Sequence, residues 1–259
     1  MYWHAQTANM NTWTCASSGG TIRTIVKELL IKRHITKAIM TRSMGCEATT
    51  LIVNTPSETL PATWYSYNRS LISTVLSEIA DIDHMMIVAL PCQARAIREV
   101  APDALIISPV CFQTLDPAGI RKVLTRLDID CEDVKSAYRV HDNLVIHLRL
   151  TTRSLPFKTF WKYFRFNQLP NCFCRSCKDH LGDAADITVF DNGSLRSNII
   201  RVRTMRGISI IGQARDALKL KRSMFAHVIV IRKIVTHSIT HLLATYHSRC
   251  DRLSQIFKS

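Results

Sequence analysis

The chain is short of the two residues that most often break a backbone, with only eight glycines and eight prolines in 259 residues. No collagen-like period, low-complexity tract or repeat at solenoid spacing is present, which excludes fibrous, linker-like and array architectures. A long apolar run is missing too. The best stretch for a membrane span, Met224 to Tyr246, is interrupted by His227, Arg232, Lys233, His237 and His241, and charges at bilayer depth are costly. The opening residues, Met1 to Thr14, have neither a basic start nor an apolar centre, so they do not read as a secretory signal. The sequence also lacks a P-loop, a G-x-G-x-x-G fingerprint and an H-E-x-x-H pattern, and no histidine is assigned a catalytic task. These absences leave a globular chain expected in the cytoplasm, without a membrane span.

What is present is an apolar fraction of 47%, ample for one large α/β core or two small ones packed together. Acidic residues are outnumbered, 20 Asp and Glu against 34 Lys and Arg, for a formal net charge of +14. Such a surface draws acidic partners over about 8 to 10 Å in physiological salt. Nucleic acid, an acidic electron carrier, a polyanionic cofactor or a simply solvated basic surface would all satisfy it. The basic residues are dispersed and not interleaved with aromatics, so no nucleic-acid partner is expected.

The pattern of elements is α/β. Thr21 to Leu30 carries Ile22, Ile25, Val26, Leu29 and Leu30 at helical spacing, entered from the Gly-containing turn Ser17-Ser18-Gly19-Gly20. Strands are expected at Ala38 to Thr41 and Leu51 to Asn54, and a helix from Ser70 to Ala80. Met85 to Leu90 and Ala104 to Ile107 are uninterrupted apolar runs of the kind buried on both faces of a parallel sheet. Helices are expected from Ala94 to Val100 and from Pro117, after an Asp116 N-cap, to Leu127. Beyond Tyr138 the texture turns antiparallel, with a hairpin arm at Leu144 to Leu150, a loop-rich stretch from Pro170 to Asp183 and a strand at Ile187 to Phe190. Ile199 to Arg203 and Ile208 to Ile211 read as another hairpin across Met205-Arg206-Gly207. The predicted fold class is therefore a mixed, largely parallel sheet with flanking helices, followed by an antiparallel, cysteine-bearing C-terminal part. The division expected is an α/β half over 1–135 and an α+β half over 136–259, packed as one unit.

Nine cysteines without a secretion signal are not read as disulfide scaffolding, because cytosolic thiols are kept reduced. Cys92 and Cys111 each stand just past a buried strand, on the carboxyl edge where α/β sheets bind ligands. Cys174 and Cys177 form a C-x-x-C pair able to present two sulfurs to one metal. Together the four suffice for a tetrathiolate site, which ligand identity leaves open between zinc and a [4Fe-4S] cluster; packing cysteines are the remaining alternative. Cys172 offers a competing ligand. Cys15, Cys46, Cys131 and Cys250 have no partner at metal spacing and are expected to be core or surface thiols. The turn Ser18-Gly19-Gly20-Thr21 is either an anion cradle at a helix start or a simple N-cap turn. Asp179, Asp183, Asp186 and Asp191 follow the C-x-x-C, mostly as expected surface caps.

In this order, Ser18-Gly19-Gly20, Ala89-Leu90-Pro91-Cys92-Gln93, Val110-Cys111, Cys174-Arg175-Ser176-Cys177-Lys178-Asp179, Ala185-Asp186-Ile187 and Ser197-Asn198-Ile199-Ile200-Arg201-Val202-Arg203-Thr204 resemble the coenzyme F420 hydrogenase/dehydrogenase beta-subunit family. The resemblance covers about residues 16 to 215. It implies a flavoprotein oxidoreductase that binds FAD and a [4Fe-4S] cluster and passes electrons between a donor subunit or ferredoxin and a deazaflavin such as coenzyme F420, or another organic acceptor. It assigns Cys92, Cys111, Cys174 and Cys177 to the cluster, and Ser18, Gly19, Gly20 and Thr21 to the flavin phosphate or ring. The 1–135 half would be the flavin-binding one and the 136–259 half would carry the cluster loop. Asn171, in place of a basic residue, and Phe190, before Asp191 where a glycine is common, depart from the pattern. A diverged member without redox chemistry, for instance one tied to polysaccharide pathways, and a zinc-stabilised nucleic-acid-binding module are the alternatives.

Overall fold

The two uninterrupted apolar runs set the centre of the structure, a computed structural model. They form β4 (Met85–Val88) and β5 (Leu105–Pro109), in which every residue except the half-buried Leu105 is buried. A strand apolar on both faces must be covered on both, and helices do so here. On one face, α2 (Thr21–Ile31) and α6 (Met205–Ala214) pack Ile25, Val26, Leu29, Ile210 and Ala214 against Ala38, Met86, Ile107, Ile187 and Ile200. On the other, α3 (Ser70–Ser77) and α4 (Pro91–Val100) pack Leu71, Val75, Ala94 and Ile97 against Ile39, Met85, Ile87 and Ile106.

The structure describes residues 1–16, 18–44, 46–59, 70–111, 114, 117–140, 142–160, 174, 177, 179–192, 196–223 and 231. It divides into two units, Met1–Arg222 and Ser223–Ser259; of the second, only Ser223 and Ile231 are described, and Ile231 is helical. The remaining strands of the first unit are β1 (Tyr2–Thr7), β2 (Lys37–Met44), β3 (Glu47–Val53), β6 (Val134–Val140), β7 (Asn143–Leu148), β8 (Thr152–Pro156), β9 (Ile187–Asp191), β10 (Asn198–Val202) and β11 (Leu218–Arg222). Short helices α1 (Met10–Cys15) and α5 (Pro117–Thr125) also belong to it.

The eight-stranded sheet has the order β11-β1-β10-β9-β5-β4-β2-β3. Its centre is parallel, β2 with β4, β4 with β5 and β5 with β9. Both flanks are antiparallel, through β3 at one side and β10, β1 and β11 at the other. The expected α/β class with a mixed sheet is the class observed. The antiparallel part consists of the flank strands and of a separate three-stranded sheet, β6-β7-β8. The large sheet takes strands from both sides of residue 135.

Three sequence expectations are corrected. Residues 208–211 are not the arm of a hairpin. Gly207, Ile210, Ile211 and Ala214 are buried at a spacing of three and four, and Thr204 caps the helix by accepting the Gly207 N–H at 3.0 Å. Gly207 is also needed for packing, since a Cβ there would stand 2.7 Å from the Asp186 carbonyl oxygen. Secondly, Cys46 and Cys131 are not separate thiols. They form a disulfide, with Cα atoms 5.7 Å apart, because β2 and β3 continue past the register with β4, which ends at Ile39. The hairpin tip thereby reaches the core under the small sheet. Lastly, Asp186 is no surface cap. It has no exposed surface; its carboxylate accepts the Ile106 N–H at 2.9 Å and the Thr204 hydroxyl at 2.6 Å, and lies 3.2 Å from the Arg98 guanidinium. β1 and α1 lay unrecognised in a segment read only for a signal peptide.

A buried carboxylate with this many partners leaves them unsatisfied when removed. Asp186→Ala should lower unfolding free energy by about 3 kcal/mol or more, whereas Asp183→Ala, which removes an exposed carboxylate from an ion pair with the mostly buried Arg203, should cost less, about 1 kcal/mol. Urea titration of both variants checks this.

Candidate functional site

β4, β5 and β9 run in one direction, so their carboxyl ends share one edge of the sheet, and the loops there can converge. Cys92 follows β4 in the first turn of α4. Pro91 sits at the start of that helix with its ring fixing φ, and the Gln93 side chain accepts the Leu90 N–H at 3.2 Å, which sets the turn. Cys111 follows β5. Its N–H donates to the His180 carbonyl at 3.2 Å, and His180 Nδ1 lies 3.2 Å from the Cys111 carbonyl oxygen to which it can donate. This two-way bond pins the loop after the C-x-x-C to the end of β5.

The same loop is held by α4. Asp179 is buried, accepts the Gly182 N–H at 2.9 Å, and lies 3.2 Å from Arg95, one turn along the helix from Cys92. Gly182 has a φ of +62° and leaves room for Ser108, which a Cβ would meet at 2.8 Å. Of the C-x-x-C itself, Cys174 Sγ is 3.3 Å from the hydroxyl of the buried Thr114, and Cys177 Sγ is 3.4 Å from the Asp179 carbonyl. Arg175, Ser176, Lys178, Asn171 and Cys172 lie outside the described residues.

Electrostatics shows which sulfurs are neighbours. The Cys92 thiol, although its residue reaches the surface, is pushed up to about 11, first by partial desolvation and then by the charges of Cys177 and Cys174. Cys177 and Cys174 thus act on Cys92, and the backbone of Cys111 is bonded to His180 in the loop that follows them. All four are free thiols. Among the described residues no three His, Cys, Asp or Glu side chains stand at metal-holding geometry. The donor set nevertheless fits a cationic centre: a Cys92 thiolate disfavoured by its neighbours' charges would be relieved by a shared positive charge. Thr114, Arg95 and His180 gave no motif that would have singled them out in the sequence; the adjacency of the loop and α4 is what reveals them.

Ser18, Gly19, Gly20 and Thr21 lie on the same edge, beside the end of β9. The turn is bound into the protein. Ser18 Oγ donates to Asp191 at 2.7 Å and accepts from the Asn198 amide at 3.0 Å, while Thr21 N–H donates to the Asn198 side-chain oxygen at 3.4 Å. A Cβ on Gly19 would meet that oxygen at 2.5 Å, so the close approach glycine permits is used by Asn198. Arg196, at a φ of 43°, stacks over Trp13 at 4.1 Å and donates to the Thr14 and Ala16 carbonyls, which fixes α1 ahead of the turn. With a carboxylate beside Ser18 and the first helical N–H engaged, these residues do not fit a phosphate. The half-exposed Ser18 and Gly20 remain available to an uncharged part of a ligand. Phe190 is buried, with its carbonyl accepting from the Asn198 amide at 3.2 Å.

The family model for the C terminus of the coenzyme F420 hydrogenase/dehydrogenase beta subunit matches residues 82–226, more than half of the chain and the span holding Cys92, Cys111, Cys174 and Cys177. In structure, the chain is similar to a chain of the F420-reducing [NiFe] hydrogenase complex from Methanosarcina barkeri, with a TM-score of 0.69 at 16% identity, over 85% of this chain and 81% of that one. This second likeness is one of fold. No curated protein matches in sequence. No helix among the described residues is long and apolar enough to cross a membrane.

The raised thiol has a chemical consequence. In metal-free protein at pH 8, Cys92 should alkylate with a thiolate fraction about a hundredfold below that of a thiol of pKa 9. Its rate should climb until about pH 11, and Cys177→Ser should move that rise to lower pH. Iodoacetamide labelling followed by peptide mass spectrometry measures both.

Proposed function

Because the chain belongs to the coenzyme F420 hydrogenase/dehydrogenase beta-subunit family, a family of redox proteins, we propose that it is a cytoplasmic flavin- and [4Fe-4S]-dependent oxidoreductase that passes electrons between a protein donor and a deazaflavin or other organic acceptor. The observation that supports this reading is that Cys177 and Cys174 lie near enough for their charges to act on Cys92, while the backbone of Cys111 is bonded to His180 in the loop after the C-x-x-C. Such an all-sulfur donor set suits a cluster of this type.

In this reading Cys92, Cys111, Cys174 and Cys177 hold the cluster, and Ser18 and Gly20 face the uncharged part of the flavin. A bound cluster supplies single-electron transfer, and a bound flavin couples it to two-electron, hydride-type chemistry. The chain's own contribution is positional. Arg95 keeps Asp179, and with it the backbone beside Cys177, against α4. His180 holds Cys111. Thr114 places a hydroxyl on Cys174 Sγ, which orients the sulfur and limits its access to water. Asp191 and Asn198 hold the Ser18 hydroxyl between them. The formal charge of +14 supports an acidic donor, a ferredoxin or a partner subunit.

Anaerobic purification of the full chain should yield brown protein with about four iron and four acid-labile sulfide per chain, and a flavin released on denaturation. Cys177→Ser should lose the iron while folding normally. One zinc per chain with no flavin would replace this reading with a structural metal site, and a colourless, metal-free chain unaffected by Cys177→Ser would end it.

A further inference from the structure

The core under the small sheet consists of Ile120, Val123, Leu124, Ile129, Cys131, Val134, Ala137, Leu144, Ile146, Phe160 and one residue from far away, Cys46. Every other described member comes from 120–160, so this layer has a core of its own, into which, among the described residues, the β2–β3 hairpin inserts one side chain. That side chain is disulfide-bonded to Cys131, across 85 residues. Both cysteines are only 3% exposed. The layer they clamp is inserted in the chain between Cys111 and Cys174, with helix α5 following the first and the last described residue, Phe160, preceding the second.

We propose that Cys46 and Cys131 are a reversible thiol–disulfide site, whose closed form clamps the tip of the β2–β3 hairpin to the small sheet and whose open form releases it. The Cα separation of 5.7 Å lies within the range that admits a disulfide. Opening the bond leaves the nine other buried members described for this core in place, so the layer remains folded while its covalent tie to the sheet is lost. A bond of this kind is governed by the thiol poise of its compartment.

The co-reactant is a low-molecular-weight disulfide such as oxidised glutathione. In closure, the thiolate of one cysteine attacks a glutathione sulfur, forming a mixed disulfide and expelling one glutathione thiolate. The second cysteine then displaces the other glutathione and forms the Cys46–Cys131 bond. Two protein thiols are oxidised, one glutathione disulfide is reduced to two thiols, and the two protons from the protein thiols pass to them through solvent. Because both sulfurs are buried, each step waits on local lifting of the hairpin tip, and exchange is slow. None of this depends on the cofactor reading above.

The test equilibrates the full chain anaerobically in mixtures of reduced and oxidised glutathione, from fully reducing to fully oxidising. Acid quenching, alkylation and peptide mass spectrometry then measure the Cys46–Cys131 linked peptide, and amide hydrogen exchange is followed over 117–160 in the same samples. The linked peptide should rise from absent to dominant across the series. Exchange over 117–160 should slow as it does, and in Cys46→Ser it should be independent of the poise. A pair that stays linked at the reducing end, never links at the oxidising end, or links without altering exchange overturns the proposal.

Discussion

A carboxylate with no access to water must find all of its partners inside the protein, and at Asp186 that requirement draws four segments to one point. Its oxygens take the Ile106 N–H of β5 and the Thr204 hydroxyl that opens α6, and sit beside Arg98 of α4 and Arg206 of α6. Its own backbone bonds to Ile106 and Arg203. Asp186 thus ends the loop that begins at the C-x-x-C and delivers it into β9 at a fixed height. Asp179 anchors the other end of that loop to α4 through Arg95. The cysteine edge depends on these two buried carboxylates as much as on the sulfurs themselves.

The rest of the architecture follows from where parallel strands end. β4 and β5 are apolar on both faces, so helices must cover both, and the loops with polar and reactive residues are left to the carboxyl edge. Cys92 and Cys111 arrive there from consecutive strands. Cys174 and Cys177 arrive from a distant part of the chain, after the inserted small sheet. The Ser18 turn arrives by a third route, ahead of α2, and is tied to β9 and β10 by Asp191 and Asn198. These are three independent approaches to one edge of the sheet.

Much of this is legible in the residues alone, and for stated reasons. The runs Met85 to Leu90 and Ala104 to Ile107 are too short and too apolar to be anything but buried strands, and their helices carry clear 3.6-residue periodicity. The ordered motifs around Cys92, Cys111 and the C-x-x-C are specific enough to identify the family. The helix at Met205–Ala214 is misread because Ile208 to Ile211 alone satisfies a strand pattern; what decides for helix is the Thr204 cap and the fit of Gly207 against Asp186. β1 has no run of apolar residues, since only one of its faces packs on the core, and its partners β10 and β11 lie at the far end of the described chain.

Composition and local pattern therefore decided the class of the fold, the central strands, the candidate ligands and the family, because each of these is written in short stretches whose physics is local. The pairing of Cys46 with Cys131, the burial of Asp186, the partners of Thr114, Arg95 and His180, and the filling of the glycine turn by Asn198 were decided only in three dimensions. Each depends on which atoms meet across tens to hundreds of residues, and no local rule of spacing or propensity carries that information.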